Sequence, residues 1–318
     1  MMLDGRLIRG GNIRARTKTQ RSPTRGGTPA PARGGPPPAR RSPAPTAHDR
    51  FLELDAYRAQ REWFRYEGNA LRDLFRQLRG RFLLRHRTRS GWAVDLGAGP
   101  GRFTDLIGGP PSRVVQLDLS VEMLREAEAR REGYHRVRGD VLTPPFPNGR
   151  FMEVVLLGNV LGQSGPDAGA LLSAAGGLVA PGGRLLLEIV SGHGERSMLL
   201  HRLSGERILE LLSASDSSAL ARVEREGFEP VHGLAPREHG FRRLSAAAIQ
   251  RRLGSSWRPV EVLAVAPGLG FDASKLEPIR RDPAGWSRLL RLEEELGRRP
   301  ARWRGSAGLL LSIERAPA

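Results

Sequence analysis

The chain has 318 residues, 39% of them hydrophobic, with a mean hydropathy of −0.38, which is enough to bury a sizeable core in one large domain or two small ones. The formal charge is +17, from 51 Lys and Arg against 34 Asp and Glu, and cysteine is absent; disulfides, thiolate nucleophiles and cysteine-ligated zinc or iron–sulfur centres are thereby excluded. No apolar run approaches the roughly 18–20 residues that span a bilayer, and the N-terminus lacks the apolar core of a secretory signal, so a cytoplasmic protein with no membrane partner is expected.

Residues 1–47 hold ten basic side chains against the single acid Asp4, together with eight prolines and seven glycines. Such a segment buries too little apolar surface to offset the entropy of ordering, and a disordered Arg/Pro/Gly-rich tail is expected. Two Arg-Gly-Gly triplets in "TRGGTPAPARGG" leave a nucleic-acid partner open for this tail. A transit peptide, a solvated linker and an over-read start codon are the alternatives. The tail carries +9 of the charge, and 49 of the chain's 51 basic residues are arginine, which is the mark of a genome-wide codon bias more than of a ligand.

From His48 the composition changes. Leu54, Tyr57, Phe64, Leu71, Phe75 and Leu78 recur near helical spacing, and Gly68-Asn69 marks a break between two helices over residues 50–80. "WAVDLG", "RVVQLDLS", "MEVVLLGNV" and "RLLLEIV" then read as strands buried on both faces of a parallel sheet. Helical segments alternate with them: "GRFTDLI" after the first, "SVEMLREAEARREG" after the second, "GALLSAAGGLVAPGG" before the fourth. Residues 191–258 form a long crossover, with "ERILELLSASDSSALARV" as helices that lid the site, before the strand "PVEVLAV". "WSRLLRLEEELGRRP" is an amphipathic helix, and "GSAGLLLSIERA" is a final strand that pairs with "PVEVLAV". The pattern predicts a doubly wound α/β sheet with its ligand at the carboxyl ends of the strands.

"VDLGAGPGRF" places Gly97, Gly99 and Gly101 directly behind the first strand, where the chain turns sharply and a ligand lies against bare backbone. A dinucleotide fingerprint puts a third glycine where Arg102 stands. Asp95, two residues before the first glycine, is a poor neighbour for a phosphate and a good one for an ammonium or sulfonium.

"VDLGAGPG", "VVQLDLSVEML", "GDVLTPPFPNGRFMEVVLLGNVL" and "LVAPGGRLLLEIV" resemble, in order and spacing, the cofactor-binding landmarks of class I S-adenosylmethionine-dependent methyltransferases, over about residues 90–190. The resemblance implies a Rossmann-like, seven-stranded, mostly parallel sheet with helices on both faces and an antiparallel last strand. It makes residues 48–318 one methyltransferase domain: N-terminal helices over 50–80, a cofactor-binding half over 90–190, lid and substrate helices over 191–258 and final strands over 259–318. It also implies that Gly97, Ala98 and Gly99, closed off by Gly101, pass under the methionine moiety, and that Asp95 supports the turn or the amino group. Asp118 would accept hydrogen bonds from both ribose hydroxyls, while Ser120 caps the following helix. Leu119 and Met123 would border the adenine. Asp140 and Val141 match an adenine clamp, with a plain turn as the alternative for Asp140. Asn159 would lie near the transferring methyl, but Gly158-Asn159-Val160-Leu161 lacks the Pro-Pro-aromatic run of adenine-amino methyltransferases, which speaks against a base amine as acceptor.

A sulfonium methyl is already activated, so its transfer calls for alignment more than for a triad or a metal cluster, and no such constellation is visible. For a hydroxyl acceptor a general base is expected, with His193 and Glu195 in "SGHGE" best placed by topology and His239 next. Trp63, Phe64 and Tyr57 offer an aromatic wall for the acceptor or an ordinary core face. The expected function is methyl transfer to a small molecule. An RNA or protein methyltransferase aided by the tail, a catalytically silent cofactor-binding module and a dehydrogenase are the rivals.

Overall fold

The computed structural model describes residues 56–64, 68–158, 160–164, 167–190, 246–265, 273–300, 303, 306 and 308–317. The tail over 1–47, the predicted lid helices, His193, Glu195, His239 and Asn159 lie outside the described residues.

The strands are β1 (Ala93–Leu96), β2 (Val114–Asp118), β3 (His135–Arg138), β4 (Phe151–Leu156), β5 (Val179–Val190), β6 (Trp257–Val265) and β7 (Gly308–Arg315). They form one sheet in the order β3-β2-β1-β4-β5-β7-β6. Strands β1 to β5 pair in parallel, and β7 runs antiparallel between β5 and β6. The predicted seven-stranded, mostly parallel sheet with an antiparallel last strand is therefore present. The chain winds outward from β1 to β3, then returns to place β4 on the other side of β1. The connections that leave β1 and β4 diverge there and open a crevice at the carboxyl ends of the two strands.

Ahead of β1 come α1 (Ala56–Trp63) and α2 (Ala70–His86). The break between them is where the sequence placed it, because Gly68 has φ +96° and Asn69 caps α2 by accepting the Arg72 N–H at 2.9 Å. α3 (Val121–Arg130) follows β2, capped by Ser120. The helical turn α4 (Val160–Gln163) and α5 (Ala168–Leu178) join β4 to β5. α6 (Ala246–Leu253) precedes β6, and α7 (Ala273–Arg281) and α8 (Pro283–Gly297) join β6 to β7. One face of the sheet packs on α2, α7 and α8 through Leu78, Phe82, Ile279 and Leu289, the other on α5 and α6 through Leu171, Ala175 and Ile249. Among the described residues, no helix is long and apolar enough to cross a membrane.

Two local expectations need correction. "GRFTDLI" is not an α-helix but a single 3-10 turn, Thr104–Leu106. Gly101 in front and Gly108, Gly109, Pro110 and Pro111 behind leave too few residues to nucleate a longer helix. The strand β3 and the helix α7 were not among the predicted elements. β3 is a half-buried edge strand whose "HRVR" carries no apolar run, and α7 contains Pro278, which reads as a breaker.

The inner strands each carry one buried polar residue: Asp95 in β1, Gln116 in β2, Glu153 in β4, Glu188 in β5 and Ser312 in β7. The register puts all five on the face covered by α2, α7 and α8. Glu153 shows why such a group is tolerated. Its carboxylate accepts the N–H and hydroxyl of Thr88 and the N–H of Gly108, so that one side chain ties together the loops below β1 and β2.

Candidate functional site

The loop that leaves β1 is stitched to the end of β2. The N–H groups of Gly97 and Ala98 both donate to the Leu117 carbonyl, at 2.8 and 3.1 Å, and the Gly101 N–H closes back on Ala98. The three glycines serve different ends. A Cβ on Gly97 would stand 2.7 Å from Val160, and one on Gly101 would stand 2.3 Å from the Gln116 amide, so these two are bare to admit protein. Only Gly99, at φ +55°, has nothing within 4 Å of that position. Bare backbone facing open space over a half-buried turn is what a ligand-contact glycine looks like.

Asp118, the last residue of β2, locks this turn. Its Oδ2 accepts the Gly99 N–H at 2.7 Å and its Oδ1 accepts the Ser120 N–H at 2.9 Å. The helix cap is made by Ser120 itself, whose hydroxyl accepts the Met123 N–H at 3.2 Å, so Asp118 is not spent on it. The two oxygens together offer about four lone-pair sites, so acceptor capacity is left for a donor outside the protein. Burial pushes the Asp118 carboxyl above the ordinary aspartate range, and the N–H groups of Ser120, Gly99 and Leu119 pull it back down.

Asp95 lies beneath the turn rather than on its surface. It is 5% exposed, and its Oδ2 accepts the Thr104 hydroxyl at 2.8 Å; that hydroxyl in turn accepts from the Gln116 amide at 2.9 Å. Burial raises its pKa to about 7, against the opposing Thr104 hydrogen bond and with help from the nearby Asp118 and Glu153 charges. Thr104 and Gln116 escaped the sequence reading, though the polar Gln116 in the run "VVQLD" was the available signal.

Leu119 is half-buried and Met123 is buried at the start of α3, while Val141 packs against the α5 side of the core. Asp140 makes a tight local turn, accepting the Leu142 N–H at Oδ1 at 2.8 Å, in line with the turn alternative for this side chain. Of the three aromatic residues of the predicted wall, Trp63 and Phe64 stack on Arg130 at the end of α3, with ring centroids 4.9 and 5.0 Å from the guanidinium, and the Tyr57 side chain lies outside the described residues.

On the β4 side of the crevice, Gly158 has φ +70° and, like Gly99, open space where a Cβ would stand. Its N–H donates at 3.0 Å to Oε2 of Glu188, near the end of β5. Glu188 is in turn held by Arg79 of α2, whose Nε reaches Oε2 at 2.9 Å and whose Nη2 reaches Oε1. Both side chains are buried, and this ion pair fixes a helix of the covering layer to the lip of the crevice. Neither Arg79 nor Glu188 was a predicted site residue.

The crevice thus offers bare backbone at Gly99 and Gly158, an acceptor carboxylate at Asp118 and a buried acid at Asp95. This set suits a ligand with vicinal hydroxyls and a positive charge. Residues 94–187 match a family model described as a methyltransferase domain. The trans-aconitate 2-methyltransferase of Methylobacterium radiotolerans is 36% identical over 113 residues, 35% of this chain and 41% of that protein. The malonyl-[acyl-carrier protein] O-methyltransferase of Pseudescherichia vulneris is 32% identical over 95 residues, 30% of this chain and 37% of that protein. The chain therefore spans about two fifths of the length of these curated relatives. The crystal structure of N-methyltransferase NodS from Bradyrhizobium japonicum is similar at a TM-score of 0.45 and 15% identity, covering 86% of this chain and 97% of that one.

Proposed function

We infer the function from one premise: residues 94–187 are a methyltransferase domain of the class I, S-adenosylmethionine-dependent type. The chain transfers a methyl group from S-adenosylmethionine to a small-molecule acceptor, and the accepting atom is a carboxylate oxygen. The observation that carries the donor is the turn at Gly99, facing open space and clamped by Asp118. The small-molecule class is supported by the free acid for which one relative is named, trans-aconitate; the other is named for malonyl borne by a carrier protein, which shares only the carboxylate.

In this assignment Gly97, Ala98 and Gly99 run under the methionine moiety, with Gly101 closing the turn. Asp118 takes the two ribose hydroxyls, Leu119 and Met123 border the adenine, and Asp140 and Val141 meet its edge. Asn159 is assigned to the transferring methyl by the resemblance alone. The cofactor, when bound, supplies a methyl already activated as a sulfonium. The protein's task is to hold the acceptor oxygen in line and keep water out. A carboxylate is ionised at neutral pH and needs no base; His193 and Glu195 would be required only for a hydroxyl acceptor.

The test is transfer of labelled methyl from the cofactor, by the purified full chain, to a panel of small di- and tricarboxylic acids. The expected product is a base-labile methyl ester in the small-molecule fraction. Label in RNA or protein, or in no fraction, rejects this function.

Asp95 gives a pH signature. The free folded chain keeps a proton on this carboxyl up to about pH 7, whereas the unfolded chain releases it near 3.8. Stability of the free protein therefore falls as pH rises through that window and is level above it. A cationic ligand over Asp95 favours the ionised form, so its binding expels the proton. Cofactor affinity is expected to rise with pH up to about 7, by at most about tenfold per unit, and then to flatten. In Asp95→Asn the titration curve should be flat, and a wild-type affinity indifferent to pH between 6 and 8 would remove Asp95 as the counter-charge.

A further inference from the structure

Beside the glycine turn, between α1, α2, α3 and α7, lies a cleft of about 490 Å³. Among the described residues, four guanidiniums line it, Arg76, Arg102, Arg131 and Arg280, with Trp63, Gly68 and one carboxylate, Asp73. Composition alone does not put four cations on so small a surface. Basic residues are 51 of 318, and a second cavity of about 490 Å³, near α5 and α6, has only Arg252 and Arg315 in a longer lining.

The carboxylates within reach are already engaged. Asp73 accepts from Arg76 at 2.6 Å and from the Gln77 amide at 2.9 Å. Asp105 is held by Arg131 and by the Tyr134 hydroxyl at 2.7 Å. Glu277 takes Arg280 at 3.0 Å and the Ala70 N–H, at the start of α2, at 2.7 Å. A guanidinium brings five N–H donors and a carboxylate about four lone-pair sites, several of them used here on other donors. Among the described residues, the side chains lining the cleft bring four guanidiniums against the one carboxylate Asp73. Two heads are also held in place: Arg102 Nε donates to the Trp63 carbonyl at 3.1 Å, and Arg131 lies 5.6 Å above the Trp63 ring. Arg131 Nε is buried with no hydrogen-bond partner among the described residues.

We propose that this cleft is a second binding site, for a compact multivalent oxyanion of the phosphate or polycarboxylate kind, held by Arg76, Arg102, Arg131 and Arg280. Fixed guanidiniums match such oxygens two at a time. The site does not depend on methyl transfer, and its test needs no cofactor.

The full chain is titrated calorimetrically with potassium phosphate and, separately, with tricarballylate, each against potassium chloride of equal ionic strength. Saturable binding of at least one, weakened by substitution at Arg76 or Arg280, is expected, and which arm is weakened identifies the source of the oxygens; tricarballylate binding that the substitutions leave intact belongs to the acceptor pocket and overturns the proposal for that arm. Arg76→Gln and Arg280→Gln, both at partly exposed side chains, should each weaken binding about tenfold, the equivalent of one charge-assisted contact. Melting curves in chloride check that the variants fold. In the unmutated chain, the anion should shield Arg76 and Arg280 from an arginine-specific dicarbonyl reagent, read by peptide mapping. Binding no stronger than chloride, binding unchanged in the double variant, or no shielding overturns the proposal.

Discussion

Asp118→Ala is expected to weaken S-adenosylmethionine binding by about two to four orders of magnitude, read by calorimetry. The carboxylate is assigned two ribose hydroxyls, and each hydrogen bond to a charged acceptor is worth about 1.5–3 kcal/mol. The same substitution frees the Gly99 N–H from its 2.7 Å partner, so the turn that faces the ligand loses its clamp. Asp118→Asn retains one acceptor oxygen and should fall between the two. The alanine also leaves the Gly99 and Ser120 N–H groups without their acceptor, so a lower melting temperature is expected with it, and affinity is compared at a temperature where both chains are folded. An alanine variant that binds within about threefold of wild type removes Asp118 from the site.

The second large effect is expected at the Arg79–Glu188 pair. Removing either partner strands a buried charge, and Arg79→Met or Glu188→Met should each cost about 3–5 kcal/mol in urea unfolding. Replacing both should restore most of that stability, since a buried pair and a well-packed apolar pair are of similar worth. Cofactor affinity should not recover with it. In the double variant the Gly158 N–H has lost the Glu188 oxygen that held it at 3.0 Å, and the lip beside the crevice is no longer pinned. Hydrogen exchange at Gly158 should speed up in step with the lost affinity. A double variant that regains stability and affinity together shows that the pair only holds the fold.

The sheet was legible in the sequence because its inner strands are buried on both faces and read as apolar runs broken by one polar residue each. "MEVVLL" and "RLLLEIV" needed no tertiary information. β3 was not, because an edge strand with one half-wet face carries polar residues that hide its period. The short turn at Thr104–Leu106 was read as a helix because "GRFTDLI" has a helix-like pattern, and its end-to-end room is set by where β2 must begin. At the site, Asp118 and the glycines were marked by position in a motif. The separate tasks of the glycines were not, since what stands 2.7 Å from Gly97 is Val160, sixty-odd residues on. Arg79 and Glu188 stayed hidden for the same reason. A polar residue inside an apolar run signals a buried partner, but nothing in the run says which residue of a distant helix it is.

The place of β7 in the sheet bears on how the chain comes to be assembled. Among the described strands β6 pairs with β7 alone, and β7 fills the gap between β6 and β5. During synthesis β1 to β5 can join as each emerges, leaving β5 with an open, strongly apolar edge. β6, α7 and α8 have no berth on that edge until β7 has been made. A nascent chain at that stage exposes a template for pairing with other chains, and it is there, rather than at the finished surface, that this protein should depend on protection from aggregation.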